Sequence, residues 1–448
     1  MNRLASSTIA PPLARRENMW DWIIVAAIFL GIATLAYAGL RTALFEHWFV
    51  LAREGNWITL LLRPTMLWMA MGTLLLTFRT VLWLRYQPLP AATMSDAPML
   101  TVVIPAYNEG RMVEKSIDSV ARAVYPRERL QLLVIDDGSK DDTWHYIERA
   151  AARHSGWVTT VRFPENRGKR AALAEGFRRA RGEIVITIDS DSVIERNSLL
   201  AMVGPFSNPK IGAVAGKVAV YNRYRGLLPR MLHVRFTLSF DFLRRAQSTY
   251  GTVYCCPGAL AAYRASALHG LINAWENQHF LGVACTFGED RALTNCILAA
   301  GYDTVYQNAA VVHTVVPDSY GKLCKMYLRW DRSYVREETR FARIVWVRPL
   351  RARLIAMFDT TITNLRFPVA YTSLAMLVPF SIAHPLTLVR MVIGIGVVST
   401  FYMLYYLKTE RSWDFAFGIL YAYFAFFTLL WIFPYAVCTV RARSWLTR

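Results

Sequence analysis

Ile184 to Val193 reads IVITIDSDSV. An apolar, β-branched run of this kind predicts a buried strand. Such a strand has no need of two aspartates at its exit. Asp189 and Asp191 are therefore either turn formers or ligands. Side chains of an extended segment alternate with period two, so both carboxylates fall on one side. Paired that way they suit a hard cation, Mg²⁺ or Mn²⁺, whose shell is completed by water or phosphate oxygens. Read as turn chemistry instead, they make an Asx-turn, with Asp191 or Ser192 capping the next helix. The surrounding pattern separates the two readings.

Upstream, Met99 to Ile104 predicts a strand that stops at Pro105, and Gly110 to Val124 has helical spacing. Leu130 to Ile135 predicts a second strand, ending at Asp136-Asp137-Gly138-Ser139. Asp142 follows Ser139 at capping-box spacing for a helix over Thr143 to Arg153. Trp157 to Phe163, a helix from Lys169 to Ala180, and Glu183 to Ile188 continue the alternation. Strands separated by helices of this length predict βαβ units and a parallel, Rossmann-like sheet. Ligands of such sheets sit beyond the carboxyl ends of the strands. Tyr107-Asn108-Glu109, Asp136-Asp137 and Asp189-Ser190-Asp191 all fall there, so three polar clusters converge on one edge. Lys169 and Arg170, at a helix N-terminus, suit a phosphate at the same edge.

This α/β unit sits between apolar runs. Over 448 residues the chain is 54% hydrophobic. Trp20 to Leu40 and Thr65 to Leu84 are long enough to cross a bilayer core of roughly 30 Å. Phe367 to Leu386, Arg390 to Leu407 and Trp413 to Val440 predict about three more spans. The first run exceeds the usual apolar core of a signal peptide and lacks a convincing cleavage site. Lys and Arg total 51 against 32 Asp and Glu. Because Arg15, Arg16, Arg85, Arg348, Arg351 and Arg353 flank the runs, the excess reads as positive-inside bias rather than nucleic-acid binding. The resulting division is a cytoplasmic tail over 1–18, two spans within 19–86 and a cytoplasmic catalytic block over 87–342. An amphipathic interface segment over 343–364, broken near Pro349, precedes about three spans within 365–440 and a tail over 441–448. Five spans place the basic tail on the far side, so either Lys408 and Arg411 outweigh it or one C-terminal run is re-entrant. The multi-pass chain is expected in a bacterial-type inner (plasma) membrane. Six cysteines without paired or metal-type spacing suit a reducing compartment.

Two nucleotide sites are absent from the pattern. No G-x-G-x-x-G follows the first strand, and Asn166-Arg167-Gly168-Lys169-Arg170 lacks the first glycine and the Ser/Thr of a phosphate loop.

VVIPAYNE (102–109), VIDDGSKDDT (134–143), NRGKRAAL (166–173), IDSD (188–191), GEDRALTN (288–295) and RW (329–330) occur in this order. In these motifs the chain resembles the processive, membrane-embedded family-two glycosyltransferases: hyaluronan, rhizobial chitooligosaccharide, cellulose and poly-N-acetylglucosamine synthases. GEDRALT, VVPD (315–318) and RWDRSYVRE (329–337) are most similar to the chitooligosaccharide and hyaluronan members. The resemblance implies a GT-A-type domain with a mixed sheet and an inverting, UDP-sugar-dependent hexosyltransferase. Such an enzyme extends a β-linked polysaccharide and extrudes it through its own spans. It also implies roles: Ala106, Tyr107, Glu109 and Asp137 around uracil and ribose; Lys169, Arg329 and Trp330 at the diphosphate and acceptor; Asp191, helped by Asp189, at the metal; and Asp290 as general base, flanked by Glu289 and Arg291. Cys256 and Gly258 align with an acceptor loop, and Lys217 is a further acceptor candidate. The chain departs from the motif at Met326, where the family has Gln. A non-processive transfer to a lipid acceptor and a β-glucan product are the competing expectations. The bound partners implied are a UDP-sugar donor, a growing polysaccharide and the lipid bilayer.

Overall fold

The computed structural model describes residues 64–442, together with isolated positions between 19 and 37. The expected first span and the last six residues otherwise lie outside the described residues. Eight strands form one mixed sheet: β1 (Leu100–Ala106), β2 (Leu130–Asp136), β3 (Val158–Arg162), β4 (Ile184–Thr187), β5 (Ser192–Ile194), β6 (Ile211–Val220), β7 (Ala261–Arg264) and, after a short hairpin of β8 (His279–Phe280) and β9 (Val283–Ala284), β10 (Asp303–Thr314). The spatial order is β3-β2-β1-β4-β7-β6-β10-β5. The first four of these are mutually parallel, β7 runs against both β4 and β6, and β10 pairs in parallel with β6. The parallel half follows from the βαβ pattern; the antiparallel insertion of β7 makes the sheet mixed.

Both faces of the sheet's centre are covered, which is why β1, β2 and β4 are nearly continuously apolar rather than alternating. Val102 and Ile104 enter one core with Val113, Ile117 and Val120 of α2 (Met112–Arg122), while Val103 enters the other with Phe177 and Trp275. Helix α3 (Thr143–Arg153) joins the first layer, and α4 (Lys169–Arg179) covers the second face.

Two local expectations are corrected. Strand β1 does not stop at Pro105: Pro105 pairs in register with Ile135, and pairing reaches Ala106 opposite Asp136. On the other side β4 pairs only as far as Val103 opposite Thr187, so no ladder partner is left wanting the missing N–H. Ser139 and Asp142 do not form a capping box. The Ser139 hydroxyl accepts from the amide of Asn108 (3.0 Å), and the amide of Thr143 donates to Asp141 Oδ1 (3.0 Å).

Beyond the sheet, α5 (Leu227–Thr237) runs through a π-helical turn (Leu238–Phe242) into α6 (Leu243–Ser248). Then come α7 (Glu289–Ala299), the long α8 (Tyr320–Ile344), α9 (Leu350–Ala383), α10 (Leu386–Glu410), α11 (Phe415–Thr428) and α12 (Ile432–Cys438). With α1 (Pro64–Leu84), α9 and α10 are each long and apolar enough to cross a membrane; α11 and α12 form a bent pair at 49°. The chain does break before Pro349, at a 3₁₀ turn over Val345–Val347. No break follows at residue 364, however. Helix α9 continues without interruption to Ala383, with Pro368 and Pro379 inside it.

An ion pair joins two of these apolar helices. Arg79 Nε of α1 donates to Asp359 Oδ1 of α9 at 2.8 Å, Arg79 Nη2 donates to Thr363, and Tyr250 donates to Asp359 Oδ2 at 3.3 Å. Removing one partner of a buried pair strands the other charge, at a cost of about 3–5 kcal/mol. Asp359→Ala is therefore expected to lower the thermal unfolding temperature in detergent. Adding Arg79→Met should recover most of the loss, because the stranded charge is then gone too.

Candidate active site

The first two strand exits are stitched together. Asn108, in the left-handed region at φ 52°, accepts from the amide of Lys140 through its side chain (2.9 Å), and Thr143 Oγ1 accepts from the amides of Glu109 and Gly110, both at 2.8 Å. Between these turns lies a cavity of about 700 Å³ lined by Tyr107, Gly138, Ser139, Lys140, Arg162, Phe163 and the 164–166 segment. Its lining is mostly polar and charged, with the Tyr107 and Phe163 rings among them, which suits a polar ligand with a flat ring. Gly138 has φ 71°, and a Cβ there would fall 2.5 Å from the Glu165 carbonyl carbon. Only glycine lets the cavity floor close on that wall.

Asp137 stands at the inner edge and shapes the loop that follows β3. Its oxygens accept from Asn166 Nδ2 (2.9 Å), the amide of Arg167 (2.8 Å) and the amide of Gly168 (2.9 Å). Three of about four acceptor positions are thus committed. Burial nevertheless pushes its carboxyl up to about 6. This loop ends at the N-terminus of α4, which begins with Lys169.

Lys169 is the hub of the site. Its Nζ donates to Asp189 Oδ1 at 2.5 Å and lies 3.0 Å from Glu289 Oε1. Burial opposes its charge, but the two carboxylates raise its pKa above the ordinary lysine value. The Glu289 carboxyl, buried beside that ammonium, is held down to about 2. Gly258 closes the other side: a Cβ there would sit 3.0 Å from Lys169 Nζ and 3.2 Å from Asp189 Oδ1. Ser190 donates to Glu109 (3.1 Å), tying the third strand exit to the first. Asp191 Oδ1 accepts from Ser192 (3.1 Å) and from Thr314 at the end of β10 (3.2 Å). Burial and the neighbouring Asp189 push the Asp191 carboxyl up to about 6. The second oxygen of each aspartate makes no hydrogen bond among the described residues. Two hard oxygen donors in a site that disfavours their joint negative charge fit a divalent cation.

Asp290 lies in the first turn of α7, next to Glu289. Its Oδ1 accepts the amide of Arg291 (2.7 Å), and its Oδ2 faces the thiol of Cys255 at 3.4 Å. Burial and the Glu289 charge raise its pKa. Gly288, which precedes the helix at φ 75°, would drive any Cβ onto Ser333 of α8. Glycine thus lets the turn carrying Asp290 pack against α8. Arg329 and Trp330 sit on that helix, and the Trp330 ring packs on Phe236 (5.9 Å) and Phe240 (6.1 Å).

Several expected residues stand elsewhere. Lys217 is drawn away, donating to Glu410 Oε1 (2.8 Å) at the end of α10. The Cys256 side chain is fully buried in the second core, its amide bonded to Thr294; Cys255 is the cysteine that meets Asp290. Arg291 turns toward α8, where Nη1 donates to Glu338 (2.8 Å) and its guanidinium covers the Tyr334 ring. Glu289 anchors Lys169 rather than facing open space. Met326 is buried in the first core, an apolar position where a glutamine amide would want partners. Ala106 ends β1, with its carbonyl accepting the amide of Asp137 (2.8 Å). Arg244, buried beside Cys255 and Asp290, carries no sequence signal; it follows a π-helical turn that residue pattern does not reveal.

A cavity at the carboxyl edge of a mixed sheet, an Asp-x-Asp pair, a buried lysine and a separate carboxylate at a helix start together define a glycosyltransferase of GT-A fold. Residues 101–271 match the family model "Glycosyl transferase family 2". The chain is 35% identical over 260 residues to an N-acetylglucosaminyltransferase of Azorhizobium caulinodans, covering 57% of this chain and 65% of that protein, just under two thirds of its length. It is 30% identical over 390 residues to an N-acetylglucosaminyltransferase of Rhizobium meliloti, covering 84% of this chain and 89% of that protein. Among solved structures, a mannosyltransferase of Pyrobaculum calidifontis in complex with GDP-Man and Mn²⁺ superposes with a TM-score of 0.59 at 23% identity, covering 81% of this chain and 96% of that one. The chain belongs to glycosyl transferase family 2.

Proposed function

We propose that the protein transfers N-acetylglucosamine from a UDP-linked donor to the end of a β-linked polysaccharide, repeatedly. On this reading its catalytic domain faces the cytoplasm, and the polymer leaves through its own membrane helices. The observation that carries this reading is the pairing of Lys169, bridged to Asp189 and Glu289, with Asp290 one residue beyond Glu289. Phosphate binding and proton removal then sit side by side. N-acetylglucosamine is favoured over glucose by the activities for which the relatives are named, and repetition by the long apolar helix α9, which α8 meets through Tyr334 at Asn364 and Phe367.

Uracil and ribose would occupy the cavity beside Tyr107, with Glu109 and the Asp137-shaped loop at its edge. Lys169 and Arg329 would hold the diphosphate. Asp191 and Asp189 would hold Mg²⁺ or Mn²⁺, which when bound spreads the charge developing on the leaving diphosphate. Asp290 would take the proton of the attacking hydroxyl as that oxygen bonds to the anomeric carbon and the bond to UDP breaks. One such displacement inverts the α-linked donor to a β-linked product. Incubating the purified protein with radiolabelled UDP-N-acetylglucosamine and sizing the product tests this. A ladder of long chains supports the reading, and a single-sugar lipid sinks it.

The base works ionised, so activity is present above its pKa and lost as pH falls through it. Because burial and Glu289 raise that pKa, the acid limb of kcat/KM should lie above the ordinary aspartate value of about 3.9. UDP release measured across pH at low donor concentration checks this; a limb at or below that value contradicts it.

A further inference from the structure

Asp331 follows Trp330 on α8 and is unlike the other carboxylates around the site. Lys169 neutralises Asp189 and Glu289, and Arg291 neutralises Glu338. Asp331 has neither an ion pair nor a hydrogen bond among the described residues, although it is partly buried. Two guanidinium groups lie within its electrostatic reach. They are Arg291, next to Asp290, and Arg235 on α5. Arg291 is taken by Glu338, and Arg235 lies toward the hydroxyls of Tyr327 and Tyr421. A half-buried carboxylate with no protein donor leaves its hydrogen bonds to something else.

Its position says what that something is. On α8, Tyr327 is four residues before Asp331 and Tyr334 three residues after, so the three share one face. Tyr327 bonds Tyr421 of α11 (2.7 Å), and Tyr334 bonds Asn364 of α9 (2.8 Å). Further along the same face is a cavity of about 320 Å³ lined by Tyr334, Val335, Glu338, Asn364 and Phe433. Phe433 stacks on Phe367 at 3.9 Å and 9°. Arg291, next to the base in sequence, covers the Tyr334 ring, and Tyr334 meets Phe367 of α9 and Phe433 of α12, so the face that carries Asp331 leads from the neighbour of the base to flat apolar rings.

We propose that Asp331 is an acceptor-binding residue that accepts hydrogen bonds from hydroxyls of the sugar chain where it passes from Asp290 toward the membrane helices. This rests on the polymerising function proposed above. A metal ion would satisfy the charge equally but would leave the aromatic lining unexplained; a polyhydroxylated chain uses both.

The test uses the full chain in lipid nanodiscs, with UDP-N-acetylglucosamine as donor and short β-linked N-acetylglucosamine oligomers as acceptor. The wild-type product is measured first: if it is not a polymer, the functional reading fails before any variant is made. Given a polymer, Asp331→Ala should raise the acceptor KM about tenfold to a hundredfold, the range for hydrogen bonds to a charged group, and shorten the product. The donor KM should not follow, and Asp331→Asn, which keeps one acceptor oxygen, should recover part of the effect. Unchanged acceptor KM and product length in Asp331→Ala overturn the proposal. A parallel loss of donor affinity, or a fold defect in Asp331→Ala with wild-type kinetics in Asp331→Asn, also overturns it by assigning Asp331 to packing.

Discussion

Asp290→Asn is expected to lower kcat for sugar transfer by about 10²- to 10⁴-fold, the range contributed by a positioned general base. UDP affinity should be little changed. The substitution is close to isosteric, so the turn that Gly288 presses against α8 keeps its shape. The amide oxygen can still accept from the Arg291 amide while the NH2 faces the Cys255 sulfur, in place of the two contacts Asp290 makes. The change removes the site for the proton. Stability should hold or rise, because a carboxylate crowded by burial and by Glu289 is removed. Turnover by UDP release, set against UDP binding by calorimetry, reads both halves. Retained turnover would exclude Asp290 as the base, and lost UDP binding would place it on the donor instead.

This separation of roles between neighbours is only partly legible from the residues. The strands around the site can be read because each is apolar along its length and ends in a polar turn. Such runs have few alternatives once both faces of a sheet are covered. The edge on which the acids gather follows from the same alternation. Choices made by distant partners leave no such mark. Lys217 and Glu410 lie 193 residues apart and Arg291 and Glu338 lie 47 apart, so spacing says nothing of either pair. Cys255 and Cys256 are adjacent, and which of them meets Asp290 depends on backbone direction after β-bridge residue Thr252. Pro105 misleads for a related reason: whether a proline ends a strand depends on where the neighbouring strand ends, and β4 stops pairing at Val103.

The long apolar helices show the same limit. Charge pattern marks the break at Pro349 well, because proline and the basic residues around it are local signals. It marks no break at residue 364, where the interface segment is expected to end. Nothing between Leu350 and Phe367 interrupts hydrogen bonding, and α9 runs through that boundary.

Lys169→Met should weaken donor binding by about 10²- to 10⁴-fold, as expected when a charged partner worth about 3–5 kcal/mol is removed from a buried network. Two separate losses contribute. The diphosphate loses a cation at the N-terminus of α4, where the helix dipole adds to that attraction. The site also loses the charge that lets Asp189 and Glu289 remain ionised together, 2.5 and 3.0 Å from one ammonium. The Glu289 carboxyl, held down to about 2 by that neighbour, should then take up a proton far more readily. A double variant separates the losses. Lys169→Met with Glu289→Gln removes the stranded acid, so thermal stability should return toward wild type. Donor affinity should stay low, because no cation has been restored to the diphosphate. Thermal unfolding and UDP binding of the single and double variants supply the two readouts. Recovery of both in the double variant would mean that Lys169 serves only to neutralise Glu289, and the phosphate would then have to be held from α8, by Arg329.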